Sequence, residues 1–229
     1  MWHPPNNVTE NPALRNRGPV FRNRSDAGKQ LSDLLSEWRN SDAIVCAIPA
    51  GGVPVAVEVS RSLALPLDVL VVSKMTLPWN TEAGFGAMAA DGTALINEEL
   101  VKATGLDPVA MDRRTELTRT KVTAREKHYH QLIPTIEMTG KDVILVDDGL
   151  ASGFTLRVAI ASARARNVAS VIVAVPTGHS TSVEHVAQEC DRLYCANVRE
   201  GMRFAVADAY ETWADVSEEK VIDLLEKQP

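Results

Sequence analysis

The segment Val143-Ile144-Leu145-Val146-Asp147-Asp148-Gly149-Leu150-Ala151-Ser152-Gly153-Phe154-Thr155 has three chemically distinct parts. Four apolar, mostly β-branched residues open it, the pattern of a buried parallel strand. Asp147 and Asp148 stand at the carboxyl end of that strand. A short loop of mostly small residues then leads into a helical pattern from about Thr155. Ligands of open α/β sheets sit beyond the carboxyl ends of the strands, and a helix N-terminus offers free backbone N–H groups to an anion. The segment therefore presents acceptors for hydroxyls or a metal on one side and a phosphate cradle on the other. A phosphorylated sugar satisfies both. An ordinary strand–turn–helix junction needs neither the second carboxylate nor so many small residues.

The flanking sequence repeats the strand–helix alternation. Ala43 to Ile48 is a continuous apolar run, hence a central parallel strand, and Pro49-Ala50-Gly51-Gly52 ends it. A helix is predicted from about Val53 to Leu63, and the next strand over Val69–Val72, ending at Ser73-Lys74. Strand, helix and strand in about 30 residues make a right-handed βαβ unit. Downstream, the pattern predicts a helix to about Arg166, a strand over Ser170–Val175, a helix over about Ser182–Cys190 and a shorter strand over Leu193–Ala196. The fold class is α/β, a doubly wound, mostly parallel sheet.

Between the two halves the pattern changes. Pro78-Trp79-Asn80 reads as loop, and Phe85–Ala90 and Thr93–Asn97 flank Asp91-Gly92, a favoured two-residue hairpin turn. Helical patterns follow over Glu98–Ala103 and Asp112–Gln131. The second has few apolar residues, so it packs by a narrow stripe or projects from the body. Arg114, Lys121, Arg125 and His128 share one face of it. A solvated face is the simpler reading of these four; phosphates or an acidic partner surface are the alternative. Residues 75–131 thus form a hairpin lid and helical insertion.

Residues 1–20, rich in Pro and Asn and without a period, read as an extended or loose arm. The remainder, 21–229, reads as one domain. Leu31, Leu34, Leu35 and Trp38 mark an amphipathic helix beginning near Ser25-Asp26. Residues 198–229 make a C-terminal hood or tail, with seven carboxylates and one lysine between Asp208 and Glu226.

With 45% hydrophobic and 24% charged residues, the composition is that of a soluble globular protein. No run approaches the roughly 18 apolar residues of a membrane span, and the start lacks the basic and apolar regions of a signal peptide. A cytoplasmic location is expected. Cys46, Cys190 and Cys195 have no metal-like spacing and are expected as reduced thiols. A net charge of −6 argues against a general nucleic-acid binder.

Four apolar residues, Asp147-Asp148-Gly149, two residues and Ser152-Gly153-x-Thr155 closely resemble the phosphoribosyl pyrophosphate (PRPP) motif of type I phosphoribosyltransferases. Phe21-Arg22-Asn23-Arg24, the Gly51-Gly52-Val53-Pro54 loop, the middle insertion and the acidic tail extend the resemblance over roughly residues 21–226, to a subgroup without an assigned substrate. The resemblance implies that Asp147 and Asp148 bind the ribose hydroxyls and help hold Mg²⁺, directly or through water. Gly149, Leu150, Ala151, Ser152, Gly153 and Thr155 are then expected to hold the 5′-phosphate. Ala50, Gly51 and Gly52 match the loop that presents backbone N–H groups to pyrophosphate, with Ala50 where similar loops often carry arginine. Lys74 is expected as a cation for pyrophosphate oxygens.

Residues 75–97 occupy the place of a mobile lid, yet hold Glu82 and Asp91 and no Lys, Arg or His. His179 either touches a base or caps the following helix; Phe21, Phe204, Tyr210 and Trp213 either stack on a base or pack. The implied activity is Mg²⁺-dependent transfer of ribose 5-phosphate from PRPP to a nitrogenous base, by a homodimer. The alternative is a regulatory protein of the same fold that binds PRPP or a nucleotide without turnover. A phosphoryl-accepting Asp147 fits poorly, and no Gly-x-Gly-x-x-Gly follows the first strand to suggest a dinucleotide.

Overall fold

The structure is a computed structural model that describes residues 2–228, with side chains at all of these except 81–83. In chain order the elements are β1 (Val8–Glu10), α1 (Arg24–Leu34), β2 (Ile44–Ala47), α2 (Gly52–Leu63), β3 (Leu67–Val69), β4 (Val72–Leu77), β5 (Asn80–Ala89) and β6 (Ala94–Ile96). There follow α3 (Glu98–Thr104), α4 (Pro108–Tyr129), β7 (Asp142–Val146), α5 (Phe154–Ala165), β8 (Ser170–His179), α6 (Ser180–Ala187), β9 (Arg192–Arg199) and α7 (Glu218–Glu226).

Six strands form a wholly parallel sheet in the order β1-β9-β8-β7-β2-β3. Its strands are apolar throughout because helices cover both faces. Val45, Ala47, Ile144 and Val146 point into one core with α1 and α2. Ile44, Cys46, Val143 and Leu145, one step out of phase, point into a second core with α5 and α6. Alternation of side chains along a strand produces this division, and burial on both faces removes any polar face from the sequence pattern. From β2 the chain winds outward to β3, whereas from β7 it winds the other way to β8 and β9. β2 and β7 are neighbours, pairing Ile44 with Val143 through Ala47 with Val146. Their carboxyl ends therefore meet at the topological switch point, where open sheets bind ligands.

Several elements differ from the sequence expectation. The arm is extended at 8–10 but not loose: β1 pairs in parallel with β9, and Asn7 Nδ2 donates to the Ala187 carbonyl at 2.8 Å. Three residues carry too little pattern to reveal a strand, and the open backbone of the β9 edge supplies the pairing. The run Val69–Val72 is not one strand. β3 ends at Val69, and β4 begins at Val72 in a separate antiparallel sheet with β5 and β6. All four residues are buried, so hydrophobicity gives no sign of the break. Lys74 consequently lies within β4 rather than at the end of a core strand. The expected loop at 78–80 shrinks to a turn between two strands, while the Asp91-Gly92 turn lies where predicted, with Gly92 at φ +92°. β8 runs through Pro176 to His179 because β9 pairs with it that far, Thr177 opposite Asn197.

Helix α4 starts four residues earlier than expected, with Pro108 in its first turn and Asp107 capping the Ala110 N–H. It bridges the two sheets. Ala110 and Met111 pack near its start on Met75, Leu77 and Phe85 of the small sheet. Val122 and Tyr129 enter the main core. Just beyond its end, His130 Nε2 lies 2.9 Å from Oδ1 of the fully buried Asp68 on β3. Asp68 also accepts from the Val69 and Ile136 N–H groups, at 2.7 and 3.0 Å.

Removing a buried, fully paired carboxylate leaves its donors without partners. Asp68→Ala is expected to lower the unfolding free energy by about 3 kcal/mol, measured by urea denaturation. A loss below about 0.5 kcal/mol would show that this anchor is dispensable.

Candidate active site

Two loops meet at the switch point. The first follows β2 as Pro49-Ala50-Gly51 and enters α2; its Pro49–Ala50 peptide is cis. The second follows β7 as residues 147–153 and enters α5. They touch backbone to backbone. A Cβ on Gly52 would lie 2.5 Å from the Val146 carbonyl oxygen, and one on Gly51 would lie 2.1 Å from Asp148 Oδ2. Glycine is required here for space rather than for a special φ.

The Asp147 carboxylate accepts the Asp148 N–H at 2.8 Å. Asp148 Oδ2 accepts from Arg24 Nε at 2.8 Å. The same guanidinium donates to the Ala214 carbonyl at 2.7 Å and lies 3.8 Å from the Trp213 ring centroid. The Tyr210 hydroxyl donates to the Asp148 carbonyl at 2.6 Å. The segment after β9 thereby clamps one side of the acidic pair. Burial, then the adjacent Asp148 charge, pushes Asp147 well above the ordinary carboxylate range. Burial also raises Asp148, with the Arg24 guanidinium opposing it.

Gly153, at φ +80°, occupies the N-cap position of α5 and leaves the first turn without a side-chain cap. The first-turn N–H groups are therefore the kind of donors an anion takes. Not every loop residue contributes. Leu150 is buried and its N–H already donates to the Thr177 carbonyl at 2.8 Å, so it supplies wall rather than a free donor. The Ala151 carbonyl is taken by the Ser182 hydroxyl, while the side chain of Ser152 is exposed.

A cavity of about 230 Å³ lies over this loop, walled by Asp147–Gly153, Thr155, Leu156, Lys74 and Val206. A larger cleft of about 620 Å³ extends from it past Pro49, Ala50 and Gly51 to α4. Lys74, Asp147 and Thr155 line both. The structure thus brings together Ala50 and Gly51 of the first loop, residues 147–153 and Thr155 of the second, and Lys74 from β4. Gly52, expected with them, lines neither cavity: it packs on the Val146 carbonyl, and its N–H donates to the Ile48 carbonyl at 3.1 Å.

Two contributors carried a different expectation. Arg114, Lys121 and Arg125 line the cleft, Lys121 with an exposed side chain; His128, the fourth of that row, does not line it. Arg24 belongs to the Phe21–Arg24 segment, where only the resemblance drew attention to it. His179 turns away from the cleft: its Nε2 lies 2.8 Å from the Gly201 carbonyl, and its ring meets Phe204 edge-on. It holds the N-cap position of α6 without a side-chain cap bond. Phe21 is fully buried against Tyr210. Glu82, one of the two acids expected on the lid, lies outside the described side chains; Asp91 accepts from the Ser162 hydroxyl at 2.5 Å, away from the cleft. Among the described residues, no three His, Cys, Asp or Glu side chains cluster as a metal cage, the three cysteines are free and buried, and no helix is long and apolar enough to cross a membrane.

Comparison with known proteins identifies the family and supports the fold. The model of the phosphoribosyl transferase domain matches residues 24–208. Proteins of two Mycobacterium tuberculosis strains, named provisionally as phosphoribosyl transferases, are 36% identical over 208 residues, covering 91% of this chain and 47% of theirs. The chain therefore spans about half the length of these curated relatives. The crystal structure of a Thermus thermophilus protein, TT1426, superposes with a TM-score of 0.70 at 29% identity, covering 90% of this chain and 98% of that one.

The interlock of the two loops is open to a direct check. Gly51→Ala forces a methyl group onto the Asp148 carboxylate that Arg24 holds. It is expected to destabilise the fold by about 1–3 kcal/mol, read by thermal melting, and a crystal structure of the variant should show the Arg24–Asp148 pair parted. An unchanged melting temperature with the pair intact would contradict the packing described.

Proposed function

The chain belongs to the type I phosphoribosyltransferase family, and on that premise we propose that it transfers ribose 5-phosphate from PRPP to a nitrogenous acceptor, a purine or pyrimidine base, releasing pyrophosphate. One observation carries the reading: two glycine loops, one beside paired carboxylates and one without polar side chains, open onto cavities that share Lys74, Asp147 and Thr155. PRPP has that layout, with a phosphate at each end of a ribose.

In this reading Asp147 and Asp148 accept hydrogen bonds from the ribose hydroxyls. The N-terminus of α5, Ser152 and Thr155 hold the 5′-phosphate. Ala50 and Gly51 turn backbone toward the pyrophosphate, and Lys74 stands between the two phosphate groups. The acceptor nitrogen forms a bond to C1 as the bond from C1 to the pyrophosphate oxygen breaks. The electron pair departs with pyrophosphate, and the acceptor's N–H proton passes to solvent. The chain's contribution is to hold donor and acceptor in line and to place fixed donors where negative charge accumulates. The acidic pair faces the ribose as it becomes cationic.

The donor set fits Mg²⁺ carried in by PRPP. It offers two carboxylates, one already paired with Arg24, and Mg²⁺ characteristically keeps its waters and joins one or two carboxylates to substrate phosphates. When bound, the ion supplies charge neutralisation to the phosphate oxygens. Reduced, buried cysteines support a cytoplasmic setting, and a homodimer is part of the same proposal.

Calorimetry with PRPP–Mg²⁺, followed by pyrophosphate release against a panel of bases, tests the reading. Binding with release for one base supports transfer, and Lys74→Ala should then lower the rate about 10²- to 10³-fold. Binding without release for any base favours the regulatory alternative, to which Ala50 lends weight. Failure of PRPP to bind removes both.

The acidic pair also sets a pH dependence. The ligand's hydroxyls favour ionised Asp147, whose proton affinity burial has raised. Affinity for ribose 5-phosphate should therefore fall as pH drops, beginning well above the usual carboxylate value of roughly 4. Asp147→Asn should bind more weakly and without this slope. A wild-type affinity that stays flat from about pH 8 to pH 5 would contradict the assignment.

A further inference from the structure

Helix α4 lines the larger cleft together with the Pro49–Gly51 loop and Thr155. Arg114, Thr118, Lys121 and Arg125 follow spacings of four, three and four, which place them on one helical face, and all four line the cleft. In a packed helix such a row is apolar. Here it is one threonine and three cations, spread along about 16 Å of helix axis.

The row is held in place at both ends. Met111 and Ala110 seat the start of the helix on the small sheet, and Tyr129 and the His130–Asp68 contact seat its end on the main one. Arg125 is engaged with Glu218 at 2.9 Å and with the Tyr129 hydroxyl at 2.6 Å. Arg114 spends one nitrogen on the Pro78 carbonyl at 3.0 Å. Lys121 has no hydrogen-bond or ion-pair partner among the described residues, and neither has Lys74.

The charge balance is one-sided. Among the described residues, four cations line the cleft against a single carboxylate, Asp147, and no aromatic ring lines it. A base finds nothing to stack on there. A polyanion finds its complement. Ala50 leaves the loop after β2 without a guanidinium, and α4 presents cations to the same cleft.

We infer that the α4 face binds the pyrophosphate group of the donor, with Lys121 and Arg114 supplying the positive charge that Ala50 does not. The inference rests on the donor assignment made above. As the C1–oxygen bond breaks and the electron pair leaves with pyrophosphate, Lys121 and Lys74 neutralise it from two walls. Exposed cations elsewhere on the same helix, such as Lys127, do not line the cleft and take no part.

Titration calorimetry on the full chain with PRPP–Mg²⁺, pyrophosphate–Mg²⁺ and ribose 5-phosphate separates the possibilities. Lys121→Ala is expected to weaken PRPP and pyrophosphate about tenfold or more while leaving ribose 5-phosphate unchanged. Lys121→Arg should recover most of the affinity, and Lys127→Ala should match wild type. Equal weakening of all three ligands by Lys121→Ala, or no change in any, overturns the inference and leaves the donor reading standing. A wild type that binds none of the three overturns both.

Discussion

At the carboxyl ends of β2 and β7, two backbones approach more closely than any side chain permits. Gly52 packs on the Val146 carbonyl and Gly51 on the Asp148 carboxylate. This contact fixes the distance between a loop that offers only backbone and a loop that offers carboxylates and a helix end. Both loops are tied to the centre of a parallel sheet that is buried on each face, where close packing tolerates little displacement. The cleft is therefore dimensioned by the most rigid part of the molecule. Everything more peripheral, the clamp around Arg24 on one side and α4 on the other, is positioned relative to it.

The clamp shows how charge is held at that centre. Two neighbouring carboxylates in a largely buried setting repel each other and lose hydration, and both effects favour a proton on Asp147. Arg24 offsets part of this for Asp148, and its stacking on Trp213 keeps the guanidinium from swinging back to solvent. The segment after β9 thus does more than cover the site. Through Ala214 and Trp213 it holds Arg24, the cation that opposes protonation of Asp148.

How much of this was legible in sequence depends on what each part buries. Residues 143–155 were readable because an apolar run, two carboxylates and a glycine-bounded loop each report a different physical demand. β2 and α2 were readable for the same reason. The break between β3 and β4 was hidden, since Val69 to Val72 are buried whichever sheet they join. β1 was hidden because its strand character comes from the open edge of β9, not from Val8-Thr9-Glu10 themselves. The expected end of β8 at Val175 is overridden by pairing with β9. In each case tertiary context supplied what local pattern lacked.

Charged residues posed the harder problem. A row of Arg and Lys on a helix has the same spacing whether it faces water or an anion-binding cleft, because periodicity marks only where apolar side chains go. In α4 the informative sign was an absence: over 22 residues the helix buries only Thr118, Val122 and Tyr129. Its start packs on the small sheet, and Val122 and Tyr129 pack on the main core. Another face, with Arg114, Lys121 and Arg125, lines the cleft. The face turned inward need not be apolar, because it meets a solvated cavity rather than another element. That freedom allows a cationic row to line the same cleft as a loop that carries none.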